Sequence, residues 1–172
     1  MRVDILGKTL GKTLSKALLC AGLMAGLPAA AAEKAGDYGA NLSKIYFAHQ
    51  RLLALREACD QALPGQAKAG EKAYVAWQAR HQALLNELDA RLTLMIRGAS
   101  KDEKEYMRNV GKYEGSILEY RTENREQILA QPREGIEQVC GDFRNYLTGS
   151  GSDFRKQYAE ELRELRKRKL PQ

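Results

Sequence analysis

"YVAWQARHQALLNELDARLTLM", Tyr74 to Met95, decides the fold class. Tyr74, Trp77, His81, Leu84, Leu88, Leu92 and Met95 follow one another at spacings of 3, 4, 3, 4, 4 and 3. That is the period of an amphipathic helix, whose apolar stripe of about 20 residues needs a core to face. Strand signals are nearly absent: there is no alternating Val/Ile/Thr run and no Asn-Gly or Asp-Gly hairpin.

The same period recurs on either side. Upstream, Leu42, Ile45, His49, Leu52, Arg56 and Cys59 mark a helix from Asn41 to about Leu63, widened by Phe47 and Leu53 and ended by Pro64-Gly65. Gly98 closes the central helix, and Ser100 with Glu103 makes a capping-box pattern for a third. Its stripe is Tyr106, Val110, Tyr113, Ile117, Tyr120 and Ile128. Gly111 and Gly115 each cost this helix about 1 kcal/mol relative to Ala; they either admit a close helix crossing or weaken its middle. Pro132 suits the first turn of a fourth helix that turns Ile136, Val139, Cys140, Phe143 and Leu147 inward. "TGSGSD", Thr148 to Asp153, reads as a flexible break, and Asp153 caps a short fifth helix with Phe154, Tyr158, Leu162 and Leu165. Short connections favour antiparallel neighbours, so the expected fold is all-α. It is an antiparallel up-down helical bundle of four main helices plus a short C-terminal helix.

The N-terminus has a different character. Arg2, Lys8, Lys12 and Lys16 precede an apolar run from Ala17 to Leu27, then Pro28 and a string of alanines. A basic head, a short apolar middle and a small-residue exit make a secretory signal peptide. The run falls short of the roughly 20 apolar residues of a membrane span. Ala30-Ala31-Ala32 places cleavage before Glu33, so residues 1–32 are expected to leave, and Cys20 with them. A lipoprotein reading of Cys20 meets Leu19, where a small side chain is wanted. The remainder, 33–172, is one helical domain of 140 residues, with a flexible lead-in over 33–40 and a basic tail over 166–172.

Charge changes accordingly. The full chain carries 28 basic and 22 acidic residues, a net +6; without 1–32 it carries 24 and 21, about +3. A nucleic-acid partner is not expected, since duplex binders concentrate a basic face. Outside the cytoplasm, Cys59 and Cys140 are expected to form one structural disulfide; they are too few to hold a metal alone and there is no Cys-x-x-Cys.

Signals for catalysis are sparse. His49 and His81 are the only histidines. A di-iron bundle would need Glu three residues before each, where Tyr46 and Gln78 stand. Covalent haem attachment needs Cys-x-x-Cys-His, which is absent. There is no Gly-x-Ser-x-Gly elbow and no phosphate-cradling glycine loop. The many carboxylates alternate with Lys and Arg, as on a solvated face. The expectation is a non-enzymatic protein with no cofactor and no metal.

Two stretches suggest surfaces. Trp77, with Tyr74 on its face and Arg80 beside it, is either a core anchor, the readier role at this spacing, or a partner-facing hot spot. With Tyr106 and Tyr113 of the third helix, these residues are the candidate partner surface. The tail "ELRELRKRKLPQ" carries Arg163, Arg166, Lys167, Arg168 and Lys169 within seven positions. It suits weak contact with an anionic surface, or simply complements the helix dipole.

The run Cys59…Pro64…Tyr74…Trp77, followed by Cys140-x-x-Phe143-x-x-x-Leu147, resembles small uncharacterised exported helical proteins of Gram-negative bacteria. The resemblance implies a periplasmic two-cysteine helical domain and no particular activity. The chain is also similar to periplasmic stress chaperones of the Spy and CpxP type. It departs from their Leu-Thr-x-x-Gln signature, because Ile96 stands where the glutamine would follow Leu92-Thr93. The expected function is protein–protein contact in the periplasm, as an envelope chaperone, an inhibitor or an immunity protein. The alternative is a small-molecule or haem carrier with its ligand near His49 and His81.

Overall fold

The computed structural model describes the backbone of residues 29–170 and the side chains of 38–170. The expected targeting segment, through residue 28 and with Cys20, lies outside the described residues, as do the last two residues of the tail. The described residues are all-helical: α1 (Ala29–Ala62), α2 (Pro64–Gly98), α3 (Glu103–Leu129), α4 (Arg133–Thr148), a 3-10 turn (Ser150–Ser152), α5 (Phe154–Gln157) and α6 (Ala159–Arg166).

The central stripe behaves as its spacing requires. Tyr74, Trp77, His81, Leu84, Leu88 and Leu92 are buried along α2, joined by Leu85, Arg91 and Ile96. Leu42, Ile45 and Leu52 of α1, Phe143 and Leu147 of α4, Phe154 of α5, and Leu162 and Leu165 of α6 complete the main core. A smaller cluster of Leu63, Ile136 and Cys140 lies apart, with Cys59 packed against both clusters. α1 is the shared element: α2, α3, α4 and α6 all pack on it. α3 has no buried residue and lies chiefly against α1, through Tyr46–Tyr113 and Phe47–Tyr120 edge-to-face pairs and an Arg121–Glu57 ion pair at 2.7 Å.

Several helix ends differ from expectation. α1 begins at Ala29, before Asn41, and the span 33–40 is helical instead of a flexible lead-in. Alanine has the highest helix propensity, and Gly36 and Gly39 weaken the ladder by about 1 kcal/mol each without breaking it. Pro64 starts α2, and Leu63 alone separates it from α1. At the first helical position the proline's missing N–H is one that no helical bond would use. α3 is capped by Asp102, whose Oδ1 accepts the Glu105 N–H at 2.8 Å. Ser100 turns back instead, donating to the Ile96 carbonyl at 2.7 Å and closing α2. The C-terminal helix is two pieces: Asp153 caps α5, and Tyr158 interrupts before α6. A Cβ at Gly111 or Gly115 would meet nothing within 4 Å, so these glycines mark no close crossing.

Cys59 and Cys140 are joined, with Cα atoms 5.6 Å apart. The bridge closes a loop of 81 residues and ties the middle of α4 to the end of α1 beside the small cluster. The chain-entropy model gives such a loop about 4 kcal/mol of stabilisation. Replacing both cysteines by alanine, or reducing the bridge, is expected to lower the midpoint of thermal unfolding by about 10 °C in a domain of this size. Circular dichroism melts with and without reductant check this; a midpoint moved by less than about 2 °C contradicts the assigned role.

Candidate functional site: a ring column and the aromatic groove beside it

Three rings of α2 stand in one column because Tyr74, Trp77 and His81 share a helical face. Trp77 is fully buried and His81 is 2% exposed. Their rings stack with centroids 4.4 Å apart, and Phe154 meets Trp77 edge-on at 5.1 Å. Buried ring nitrogens need partners, and here each has one. Trp77 Nε1–H donates to the Ser152 carbonyl at 2.9 Å. His81 Nδ1 lies 2.8 Å from the Trp77 carbonyl and donates to it; Nε2 accepts the Phe154 N–H at 3.2 Å. This fixes the neutral Nδ1–H tautomer. Asp153 Oδ1 lies 3.4 Å from Nε2, but the Phe154 N–H takes that lone pair, so the contact is proximity and not an ion pair. Asp153 is instead bound by Arg155, whose hydrogen bonds hold its carboxyl down to about 2.

His49 reaches the column from α1. It stacks on Trp77 at 5.9 Å, and its Nε2 lies 3.1 Å from the Tyr74 hydroxyl. Burial pushes its pKa down to about 4, helped by the Arg121 charge. The Trp77 ring is stacked against both histidines, so they do not converge on one ligand position. Among the described residues no group of three or more His, Cys, Asp or Glu could hold a metal ion.

Beside the column lies an open groove of about 480 Å³ between α1, α3, α4 and α5. Phe47, Tyr120, Tyr146, Phe154 and Tyr158 give it aromatic walls, and Lys44 and Arg51 are its only charged lining residues. Burial raises the pKa of both Tyr146 and Tyr158, so these phenols stay neutral. Tyr146 donates to Gln157 Oε1 at 3.0 Å, and Lys44 pairs with Glu161. A carboxylate-free aromatic concavity with a guanidinium on its edge accepts an apolar side chain bearing or flanked by negative charge. The crevice beside the disulfide, at about 10 Å³, holds at most about one water.

The residues expected to form a partner surface are placed differently. Tyr74 and Trp77 are core, so that expectation gives way for them. Arg80 is exposed but its guanidinium donates to the Leu147 carbonyl at 2.7 Å, serving the end of α4. Tyr113 is half-buried against Tyr46; burial pushes its pKa up to about 12, and its hydroxyl has no partner among the described residues. Tyr106 lies under the Arg97 guanidinium, 3.4 Å from its ring centroid, roughly 35 Å along α2 from Tyr74 at 1.5 Å per residue. The five form no common patch. Of the tail, Arg166 forks onto Glu87 at 2.7 Å and Arg168 lies 4.7 Å from the Tyr38 ring centroid. Lys167 pairs with Glu164; Arg163 and Lys169 are exposed.

Sequence reasoning missed Arg91. It is 4% exposed, and its Nη1 donates to the carbonyls of Leu165 and Arg168 at 2.7 and 2.9 Å while Nε bonds Glu87 at 2.9 Å. It is a buried cation closing the end of α6, and its place seven residues after Leu84 put it on the stripe. The groove's aromatics lay on four separate segments, with no local signal that they converge.

Compared with known proteins, the chain matches no family model, no curated protein and no solved structure. Among the described residues no helix is long and apolar enough to cross a membrane.

Two measurements bear on this region. His49 has a folded pKa below the usual value of 6.5, so between about pH 6.5 and 4 the unfolded chain binds the proton that the folded one refuses. Stability therefore falls as pH drops through that window, by at most about 3 kcal/mol. The drop in urea midpoint between pH 7 and 4.5 is expected to shrink in His49→Gln, and an unchanged drop would refute the assignment. Arg91→Met removes the donors from two carbonyls and one partner of a buried ion pair, and is expected to destabilise by roughly 3 kcal/mol. Amide exchange should then quicken first over 162–168.

Proposed function

We propose that this is an exported, non-enzymatic helical protein of the Gram-negative periplasm that acts by protein–protein contact. Its type is an envelope chaperone, an inhibitor or an immunity protein. The aromatic groove carries this reading: its exposed Arg51 and its tyrosines are the residue types that dominate binding energy when a partner covers them. The partner we infer presents an apolar side chain among acidic ones. The Cys59–Cys140 bridge supports export, because such bonds persist in oxidising compartments. We read the helices as an antiparallel up-down bundle. Gly70 approaching Asp60 near the α1–α2 turn, and Gly39 approaching Met95 at the far ends, support that order. Exposed Arg163 and Lys169 leave room for weak contact with anionic surfaces; a stable membrane anchor and nucleic-acid binding form no part of the proposal. The carrier reading finds less support, since Trp77 stacks on both histidines and both nitrogens of His81 are already engaged.

Capture from periplasmic extract tests the proposal, with Arg51→Glu and Tyr146→Ala as variants whose folding is checked by far-UV circular dichroism. One stoichiometric partner lost in both variants indicates an inhibitor or immunity protein. Suppressed aggregation of an unfolding client, weakened by the same changes, indicates a chaperone. Neither behaviour, or equal binding by both variants, overturns the groove as the site; a Soret band in the purified protein overturns the whole reading in favour of a carrier.

A further inference from the structure

α3 turns its aromatic side to α1 and leaves the opposite side bare. Met107 and Leu118, at 60% and 62%, are the most exposed large apolar side chains among the described residues. At 3.6 residues per turn, Met107, Gly111 and Leu118 fall within about 40° of one another, with Gly115 about 40° further round. No described atom lies within 4 Å of where a Cβ would stand on either glycine. Exposed apolar side chains scattered singly need no explanation. These two share a strip on which exposed Lys104, Arg108 and Lys112 lie in the first half and exposed Glu114, Glu119 and Glu123 in the second, with the half-buried Glu105 and Arg125 opposite in sign toward its two ends. Only Arg108 of the exposed six is in an ion pair among the described residues, a surface contact to Glu105 at 3.0 Å. A guanidinium has five N–H donors, so a second carboxylate can still be met.

The order reverses about Tyr113. Met107 and Leu118 stand six and five residues to either side, Gly111 and Gly115 two, Arg108 and Glu119 five and six, and Lys104 and Glu123 nine and ten. A strip that becomes its own complement when reversed is what a two-fold axis across a helix requires. We propose that two copies of this protein associate through α3, outer face to outer face and antiparallel, with the axis passing between Gly111 and Gly115. The glycines let the backbones approach, Met107 of each copy packs on Leu118 of the other, and Arg108 of each meets Glu119 of the other. The two Glu114 carboxylates, close to the axis, oppose the pairing. One helix face buries little area, so the dimer belongs to the weak, transient class. The inference is independent of the groove and of export.

Sedimentation velocity on the oxidised protein, from about 1 µM to several hundred µM, is the test. A concentration-dependent monomer–dimer equilibrium is expected. Leu118→Arg puts a charge in the apolar pair, and Arg108→Glu turns two attractions into two repulsions; each is expected to weaken the dimer about tenfold or more. The double variant Arg108→Glu/Glu119→Arg restores the pairing with signs exchanged and should return to within about threefold of the parent. All three positions are exposed, and far-UV circular dichroism confirms that the helices stay folded. A protein that is monomeric throughout overturns the proposal. So does a dimer indifferent to Leu118→Arg, or a double variant no tighter than Arg108→Glu alone.

Discussion

Two nitrogen-bearing rings one turn apart on α2 are buried together, and a single loop answers both. Trp77 and His81 give the main core its largest stacked pair, yet a buried N–H or ring lone pair left without a partner costs about 1 to 3 kcal/mol. Ser152 supplies the carbonyl and Phe154 the amide. The loop is therefore held at both ends of the ring pair, and Ser152 bonds back to Gly149 and Leu147 at 2.9 and 3.2 Å. A stretch whose composition reads as a flexible break becomes the fixed point of the C-terminal half. Everything after it inherits that position: Phe154 enters the core, Asp153 caps α5, and α6 lies where Arg91 can close its last carbonyls.

The groove follows from the same pin. Phe154 and Tyr158 lie just after it and Tyr146 just before, so one wall is set by where the loop is held. The other wall is α1, which presents apolar residues on more than one side because four helices pack on it. α4, α5 and α3 leave a gap over Phe47 and Leu52 that none of them fills. Filling it would need a further apolar side chain, and its edge holds Arg51 and Lys44 instead. That combination leaves aromatic surface open to water while setting the sign of the charge that could approach it.

Legibility in the sequence follows the range of the physics involved. Fold class, the α2 stripe and the Asp153 cap are local, repeating signals, and they were readable; the cysteine pairing was readable because Cys59 and Cys140 are the two that lie outside the expected leader. Helix ends were less so, because adjacent signals compete. Ser100 and Asp102 are both good caps, and the structure gives one to each helix. Pro64 both stops a helix and starts one. Tyr74 and Trp77 show why surface and core aromatics look alike in one dimension: a ring with a polar tip suits either, and only the position of its partner in space, His49 for Tyr74 and Ser152 for Trp77, decides. The groove was invisible for the same reason. Its residues are ordinary members of separate stripes, brought together by registers that no local pattern encodes.

α3 is held differently from the other long helices. At 27 residues it is among the longer helices, yet nothing in it is buried. Helices in water owe most of their persistence to the apolar face they pack away, and α3 offers only half-buried side chains, its tyrosines with Val110 and Ile117. The Tyr113 hydroxyl reaches α1 without a partner among the described residues, and Tyr106 packs at the edge of the core under Arg97. Two glycines lower its propensity further. Such a helix sits at the low end of the range of local stabilities within one fold. Contacts made to α3 then act on a long helix that fully buries none of its own residues among those described.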